Sequence, residues 1–244
     1  MKTLSRILLA TALIAGTTQT FAKPTPAVNI SRYDVQDRHL SGFSAVAVSG
    51  SFDVYITQGS TESVKVEANG NEIDKIITEV KDGVLKIYNK SSSGFTWNWN
   101  SDSKRVVRIV AKDLKSIGMS GSGDIYFKEG FRTQALKVST SGSGDIEGKV
   151  DVKNLESVSS GSGDIKLTGR ADVSNIRISG SGDFSGKNLV TTSTTIRISG
   201  SGDATVNATE KIDASTSGSG DVRYTGGARN VNSNISGSGD LIKF

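Results

Sequence analysis

The chain has 244 residues, a formal net charge of +4 and no cysteine. Two of its positive charges, Lys2 and Arg6, lie in an N-terminal segment that we expect to be removed, which leaves +2. This balance argues against a nucleic-acid-binding protein, which carries a concentrated basic stripe. The lack of cysteine excludes a disulfide framework and a thiolate zinc site, so the core and hydrogen bonds must hold the fold together.

Residues 1–22 have the pattern of a secretory signal peptide. An apolar run at Ile7–Gly16 follows the two basic residues, and Thr20 and Ala22 are small residues where a signal peptidase would cut. The run is too short to span a bilayer as a helix, and no later stretch is long and apolar enough to do so. The alternative is an N-terminal core helix. We therefore expect an exported protein without a transmembrane span.

Residues 23–40 contain both prolines and are predicted to form an extended leader. Residues 41–112 are predicted to form an N-terminal β section, because apolar residues alternate in stretches such as Val54–Ile56 and Val84–Ile87. Asp82-Gly83 is a strong signal for a two-residue hairpin. This section is either the first, more irregular part of a solenoid or a small β domain packed on its end.

The stretch from Ser91 to Ser103 holds both tryptophans. Alternation places Phe95, Trp97 and Trp99 on one side, amid serines and asparagines. Exposed aromatic side chains could contact a sugar or a protein partner. The alternative is a loop that folds back over an apolar end of the coil.

Residues 113–244 are dominated by one repeated motif, Ser-Gly-Ser-Gly-Asp, which occurs seven times without substitution. A degenerate eighth copy is Ser49-Gly50-Ser51-Phe52-Asp53. The seven copies are spaced by about nineteen residues, and such a period is typical of stacked repeats. The motif aspartates are Asp124, Asp145, Asp164, Asp183, Asp203, Asp221 and Asp240.

The repeats are predicted to be strands, because apolar residues recur at every second position, as at Ile176 and Ile178 before Phe184. The sequence therefore predicts an all-β solenoid of about seven regular coils, each one turn of a parallel β-helix. If the alternation runs through the motif, its glycines face inward and its serines and aspartate face outward.

Stacked coils about 4.8 Å apart would place the seven aspartates in a column. Such like charges need compensation. Serine hydroxyls and glycine N–H groups of the same motif could hydrogen-bond each carboxylate; Lys166 and Arg223 could supply positive charge; or a divalent cation could bind between coils. We expect no metal and no cofactor, and treat the column as a turn ladder or candidate ligand face.

Four residues, Leu241–Phe244, follow the last motif. We expect the C-terminal coil to be uncapped and to pair with another copy of the chain or with another molecule.

An enzyme is not expected. Catalysis needs one asymmetric group of residues with tuned properties, whereas the polar residues of this chain come in equivalent copies. His39, the single histidine, lies in the predicted leader, so a serine nucleophile has no evident base.

The chain resembles a bacterial family, the autotransporter-adhesin head GIN domain. The resemblance covers residues 40–244 and rests on the segment Phe43–Gly59, on Asp82–Ile87 and on the ladder of motifs. It implies a right-handed β-helix-like fold and a location in the cell envelope. Relatives often carry a proline before Leu114, where this chain reads Ala111-Lys112-Asp113.

The sequence thus favours an exported, non-catalytic binding or adhesion-type module of the periplasm or cell surface, which contacts an envelope glycan or protein. The alternatives are a structural or assembly protein of the periplasm and a β-helix enzyme that acts on polysaccharides.

Overall fold

The computed structural model describes residues 33–90 and 104–244, which fold as an all-β solenoid of about seven turns and so confirm the predicted fold class. The strands are β1 (Tyr33–Asp37), β2 (Ala45–Gly50), β3 (Asp53–Gln58), β4 (Ser63–Asn69), β5 (Ile76–Lys81), β6 (Val84–Asn89), β7 (Val106–Ala111), β8 (Ser116–Gly121), β9 (Ile125–Gly142), β10 (Ile146–Gly161), β11 (Ile165–Gly180), β12 (Phe184–Gly200), β13 (Ala204–Gly218), β14 (Val222–Thr225), β15 (Asn230–Gly237) and β16 (Leu241–Lys243). One helical turn, α1 (Gly70–Ile73), follows β4.

Strands β9 to β13 form the regular coils. Each begins at the apolar residue after a motif aspartate and ends at the first glycine of the next motif. Neighbouring coils pair in parallel and in register, so that Ile146 lies beside Ile165 and Gly161 lies beside Gly180. The motif therefore forms the corner at which one long strand gives way to the next.

The N-terminal section belongs to the same stack but is not in sequence order. Strand β2 lies between β6 and β8, and β3 lies between β7 and β9, all in parallel. The coil made by β2 and β3 is thus inserted between two coils that come later in the chain. Antiparallel strands β1, β4 and β5 complete this end of the sheet.

The core runs along the inside of the coils. The apolar residue after each of the first six motif aspartates is buried, and in three coils this residue is an isoleucine that is 0–1 % exposed. Fully burying such a side chain contributes about 1.5–3 kcal/mol, so this position stabilises each coil that carries an isoleucine there.

The last coil has one paired edge. Among the described strands, β15 pairs with β13 alone and β16 with β14 alone. The side chains of Val231 and Leu241 pack against the hydrophobic core but are only half-buried. In residues 33–90 and 104–244 no helix is long and apolar enough to cross a membrane.

Candidate functional site: the aspartate ladder

The corner depends on the first glycine of each motif, which adopts a backbone conformation that other residues rarely adopt. Its φ lies between +130° and +144° in all seven motifs and in Gly50 of the degenerate copy. In this conformation its carbonyl faces the next coil, where the Gly142 oxygen accepts hydrogen bonds from the N–H groups of Ser162 (2.8 Å) and Gly163 (3.0 Å). One carbonyl therefore fixes the start of the next corner.

Both glycines also lie against the backbone of the preceding coil. A Cβ atom on Gly161 would overlap the carbonyl oxygen of Gly142, and one on Gly163 would overlap that of Gly144. A Cβ atom at either glycine would thus point toward the preceding coil. The alternation of the sequence had predicted that both glycines face the interior of the solenoid. The motif therefore needs glycine for close packing between coils as well as for backbone conformation.

The aspartates form a continuous hydrogen-bonded ladder. In each pair of adjacent coils, Oδ1 of one aspartate accepts the backbone N–H of the aspartate in the next coil, over 2.8–3.1 Å. The ladder has six such bonds and joins Asp124, Asp145, Asp164, Asp183, Asp203, Asp221 and Asp240. A hydrogen bond from an N–H to a carboxylate is stronger than one between neutral groups, so each bond offsets part of the repulsion between the charges.

Cations compensate only one end of the ladder. Arg223 contacts Asp221 at 3.1 Å and Asp203 at 3.4 Å. Lys166 was also a candidate, but it pairs with Glu147 at 3.2 Å. Along the described parts of the chain no other cationic side chain lies within ion-pair distance of the seven carboxylates, and no group of three or more acidic or histidine side chains could hold a metal ion.

Two columns of serines flank the ladder on the outside of the corner. The first serines of the seven motifs lie in register with one another and with Ser49, as Ser160 does with Ser141 and Ser179. Every serine of the seven motifs is exposed, while the aspartates are exposed or half-exposed. The corner is therefore a regular strip of hydroxyl and carboxylate groups facing solvent.

Asp53 of the degenerate copy lies in the stack but outside the ladder. The two N–H bonds to the Gly50 carbonyl, from Ser122 and Gly123, are longer here, at 3.3 and 3.4 Å. Burial and the nearby charge of Asp124 raise the pKa of the Asp53 carboxyl, while Lys104 opposes this shift. The first step between motif corners, from Asp53 to Asp124, thus carries a carboxylate in a less favourable environment.

A row of aromatic and basic side chains lies beside this first step. The rings of Tyr55 and Tyr126 stack at 5.2 Å, with Arg108 over the first ring and Lys128 over the second. The hydroxyl of Tyr126 donates to Oδ2 of Asp124 at 2.9 Å. Burial is the main cause of a strongly raised pKa of Tyr126, and the bond to Asp124 adds to it. Tyrosine was not among the predicted site residues.

The second predicted site, Phe95, Trp97 and Trp99, lies outside the described residues. It stays a prediction. The described strands that precede and follow this stretch in the sequence are β6 and β7.

The fold and the repeated corner define a class of protein, a β-solenoid that carries one polar motif per coil. The profile of the family "Putative auto-transporter adhesin, head GIN domain" matches residues 42–228. The chain belongs to this family, as the resemblance of its motifs indicated. None of the curated proteins compared with the chain matches it in sequence.

Solved structures share the fold. A "putative adhesin" from Bacteroides fragilis has 25 % identity and a TM-score of 0.81, with 87 % of this chain and 97 % of that one covered. A "putative lipid binding protein" and a "putative adhesin" from Parabacteroides distasonis, at 24 % and 23 % identity, each have a TM-score of 0.70 and cover 88 % of this chain and 98 % of theirs. The Parabacteroides proteins show the fold alone.

Proposed function

We propose that the protein is an exported, non-catalytic binding module of the cell envelope whose aspartate ladder and serine columns contact an envelope glycan. Family membership and the similarity to a Bacteroides protein named a "putative adhesin" support an adhesion-type role. The pattern of residues 1–22 supports export to the periplasm or cell surface.

The observation that carries the proposal is the like presentation of one exposed carboxylate per coil at Asp145, Asp164 and Asp183. Because Oδ1 is held by the next coil, Oδ2 of Asp145, Asp164 and Asp183 points away from that bond and remains available as an acceptor. Serine hydroxyls beside it both donate and accept. A glycan also repeats hydrogen-bond donors and acceptors along its length. Several weak contacts between one glycan chain and the ladder can therefore add up to a higher overall affinity.

The equivalence of Asp145, Asp164 and Asp183 supports a non-catalytic role for this part of the ladder. A catalytic carboxylate here would need a pKa and neighbours that differ from those of the adjacent copies. Asp145, Asp164 and Asp183 have the same backbone bond and the same exposed setting. His39 is 87 % exposed and pairs with Asp37, away from the motifs.

Charge removal with retained geometry tests the proposal. Asparagine keeps the Oδ1 acceptor, so the triple variant Asp145→Asn/Asp164→Asn/Asp183→Asn should keep the ladder and lose three charges. The probe is polysaccharide purified from the envelope of the producing bacterium, with binding measured by biolayer interferometry. We expect the apparent Kd to rise about tenfold, with the melting temperature unchanged or raised.

The matched control is Asp74→Asn/Glu129→Gln/Glu210→Gln, which removes the same charge from exposed carboxylates outside the ladder. This control should bind like the wild type. Equal binding by both triple variants would reject the ladder as the contact surface, and parallel loss of binding and melting temperature in the ladder variant would assign it a structural role.

The open edge of the last coil favours a second candidate, an assembly role in which a second copy of the chain pairs with β15 and β16. These strands have one neighbour each among the described strands, and their core-facing side chains are incompletely covered. Light scattering across micromolar concentrations tests it: a mass that rises with concentration supports assembly, and a strict monomer rejects it.

A further inference from the structure

A groove lies beside the middle of β9, away from the aspartate ladder. Its volume is about 740 Å³, and it lies between Gln58, the segment from Lys112 to Lys115 and the segment from Arg132 to Lys137, with β10 beside it. Cavities that bind ligands have volumes of about 300–1,000 Å³, so the groove is large enough for several residues of an extended chain.

The wall that β9 contributes is a strand edge. Ile125 and Tyr126 of β9 pair with β3, and residues 137–142 pair with β8. The paired residues between Phe127 and Leu136 have β10 as their single neighbour among the described strands. Such an edge presents unpaired N–H and carbonyl groups to an incoming strand.

The side chain of Gln58 covers one position of this edge. Its Oε1 accepts the backbone N–H of Arg132 and its Nε2 donates to the Arg132 carbonyl, each at 2.9 Å. These are the two bonds that a residue of an antiparallel neighbour would make. Nε2 also donates to the Lys112 carbonyl at 3.1 Å. The other end of the edge is closed by the Lys115 carbonyl, which accepts the N–H of Lys137 at 2.9 Å. The uncovered part of the edge therefore runs from Thr133 to Leu136.

The groove carries excess positive charge. Four cations and two carboxylates line it: Lys112, Lys115, Arg132, Lys137, Asp113 and Glu156. Arg132 pairs with Asp151 at 2.8 Å, and Lys137 pairs with Glu156 at 3.4 Å. Lys112 and Lys115 are exposed, and neither makes an ion pair within the described residues.

We propose that this groove binds an acidic peptide segment in extended conformation, added as a strand along residues 133–136 of β9. The edge supplies main-chain hydrogen bonds, which give affinity in this mode of recognition. Lys112 and Lys115 supply the charge that selects acidic side chains. An anionic polysaccharide could use the lysines but not the strand edge, so a peptide fits more of the site. The proposal does not depend on the function of the aspartate ladder.

Three labelled tetrapeptides test the proposal by fluorescence anisotropy with the protein, because the uncovered edge is four residues long. The first alternates valine and glutamate, the second alternates valine and lysine, and the third is the acidic peptide with every second backbone nitrogen methylated. We expect binding of the first peptide alone, because the second has the wrong charge and the third cannot form the ladder of hydrogen bonds. Oligomers of galacturonate serve as the anionic glycan probe.

Variants locate the binding. Lys112→Glu/Lys115→Glu should raise the Kd of the acidic peptide at least about tenfold, since it reverses two exposed charges. Lys81→Glu/Lys90→Glu makes the same change in charge at exposed lysines outside the groove and should leave the Kd unchanged. Amide resonances of residues 133–136 should shift on titration with the acidic peptide, while those of the aspartate ladder should not.

The outcomes are distinct. Binding of galacturonate oligomers through the same two lysines, without binding of the acidic peptide, would overturn the proposal in favour of a glycan site. Equal binding of the methylated and unmethylated peptides would overturn strand addition. A lack of binding by any acidic probe at millimolar concentration would reject the groove as a docking surface.

Discussion

Oδ1 of Asp164 accepts the backbone N–H of Asp183 at 2.8 Å, although the two residues are nineteen positions apart in the chain. The same carboxylate faces solvent, so one side chain both joins two coils and contributes to the exposed strip. A substitution of the aspartate can therefore affect stability and binding, and the two effects must be separated by the choice of replacement.

Asp164→Ala should be less stable than Asp164→Asn. Alanine leaves the N–H of Asp183 without its partner, at a cost of about 1 kcal/mol because water can reach this exposed group. Asparagine keeps the acceptor and removes a charge from a column of like charges, so we expect it to match or exceed the wild type. Urea denaturation measures the difference, and equal stability of the two variants would contradict the role of the ladder bond.

Gly163→Ala should be strongly destabilising. Its Cβ would overlap the Gly144 carbonyl and approach Oγ1 of Thr140 at 3.0 Å, so the two coils must move apart. We expect a loss of at least about 3 kcal/mol, as for an overpacked or strained core position. Gly227→Ala is the control, because its Cβ would lie 3.6 Å from the Thr209 carbonyl, an ordinary contact. Thermal denaturation should show a small change for Gly227→Ala and a large decrease for Gly163→Ala.

Asp53→Asn should stabilise the protein at neutral pH. Burial and the charge of Asp124 raise the pKa of Asp53 in the folded state. The protonated carboxyl group therefore adds to the free energy of unfolding below the unfolded-state pKa. This contribution is lost as the pH rises through the folded-state pKa. Above that range the ionised form costs stability, and asparagine removes a cost of about 0.5 kcal/mol at most, because water screens this partly exposed carboxylate. Urea denaturation from pH 3 to pH 8 should show a gain at pH 7 that disappears below about pH 4. Asp113→Asn, which removes an exposed carboxylate outside the motif corners, is the control.

Glu147→Gln should have the opposite dependence on pH. Lys128 at 2.7 Å and Lys166 at 3.2 Å hold the pKa of Glu147 below its ordinary value. The stability from this cluster is thus present above the unfolded-state pKa and is lost as the pH falls through the folded-state pKa. We expect Glu147→Gln to lower the free energy of unfolding by about 0.5–1 kcal/mol at pH 7, because water screens these partly exposed ion pairs. The difference from the wild type should close below about pH 4, and a difference that stays constant from pH 7 to pH 3 would contradict the ion-pair account.

The repeated part of the fold follows directly from the sequence. The motif spacing predicted one coil per repeat, and the alternation predicted buried residues such as Ile165 and Ile178, because both depend on neighbours in the same strand. The column of aspartates was also predictable once the coils were in register.

Other features depend on contacts between distant residues and could not be predicted from local patterns. The sequence suggested serines and glycines of the same motif as partners of each carboxylate, but the partner is an amide one coil away, such as that of Asp183 for Asp164. Gln58 lies beside Arg132 although 74 residues separate them, and an isolated glutamine carries no signal for that role. The insertion of β2 and β3 between later strands was missed for the same reason.

That insertion has a consequence for the growing polypeptide. Strand β3 finds its neighbours in β7 and β9, about fifty and seventy residues downstream, so it stays unpaired while the intervening segment is being made. The repeats need only the next nineteen or so residues to join the stack. We therefore expect β3 to wait longer for both of its neighbours than the strands of the repeats do, and this amino-terminal region to be the one most in need of a chaperone during biogenesis.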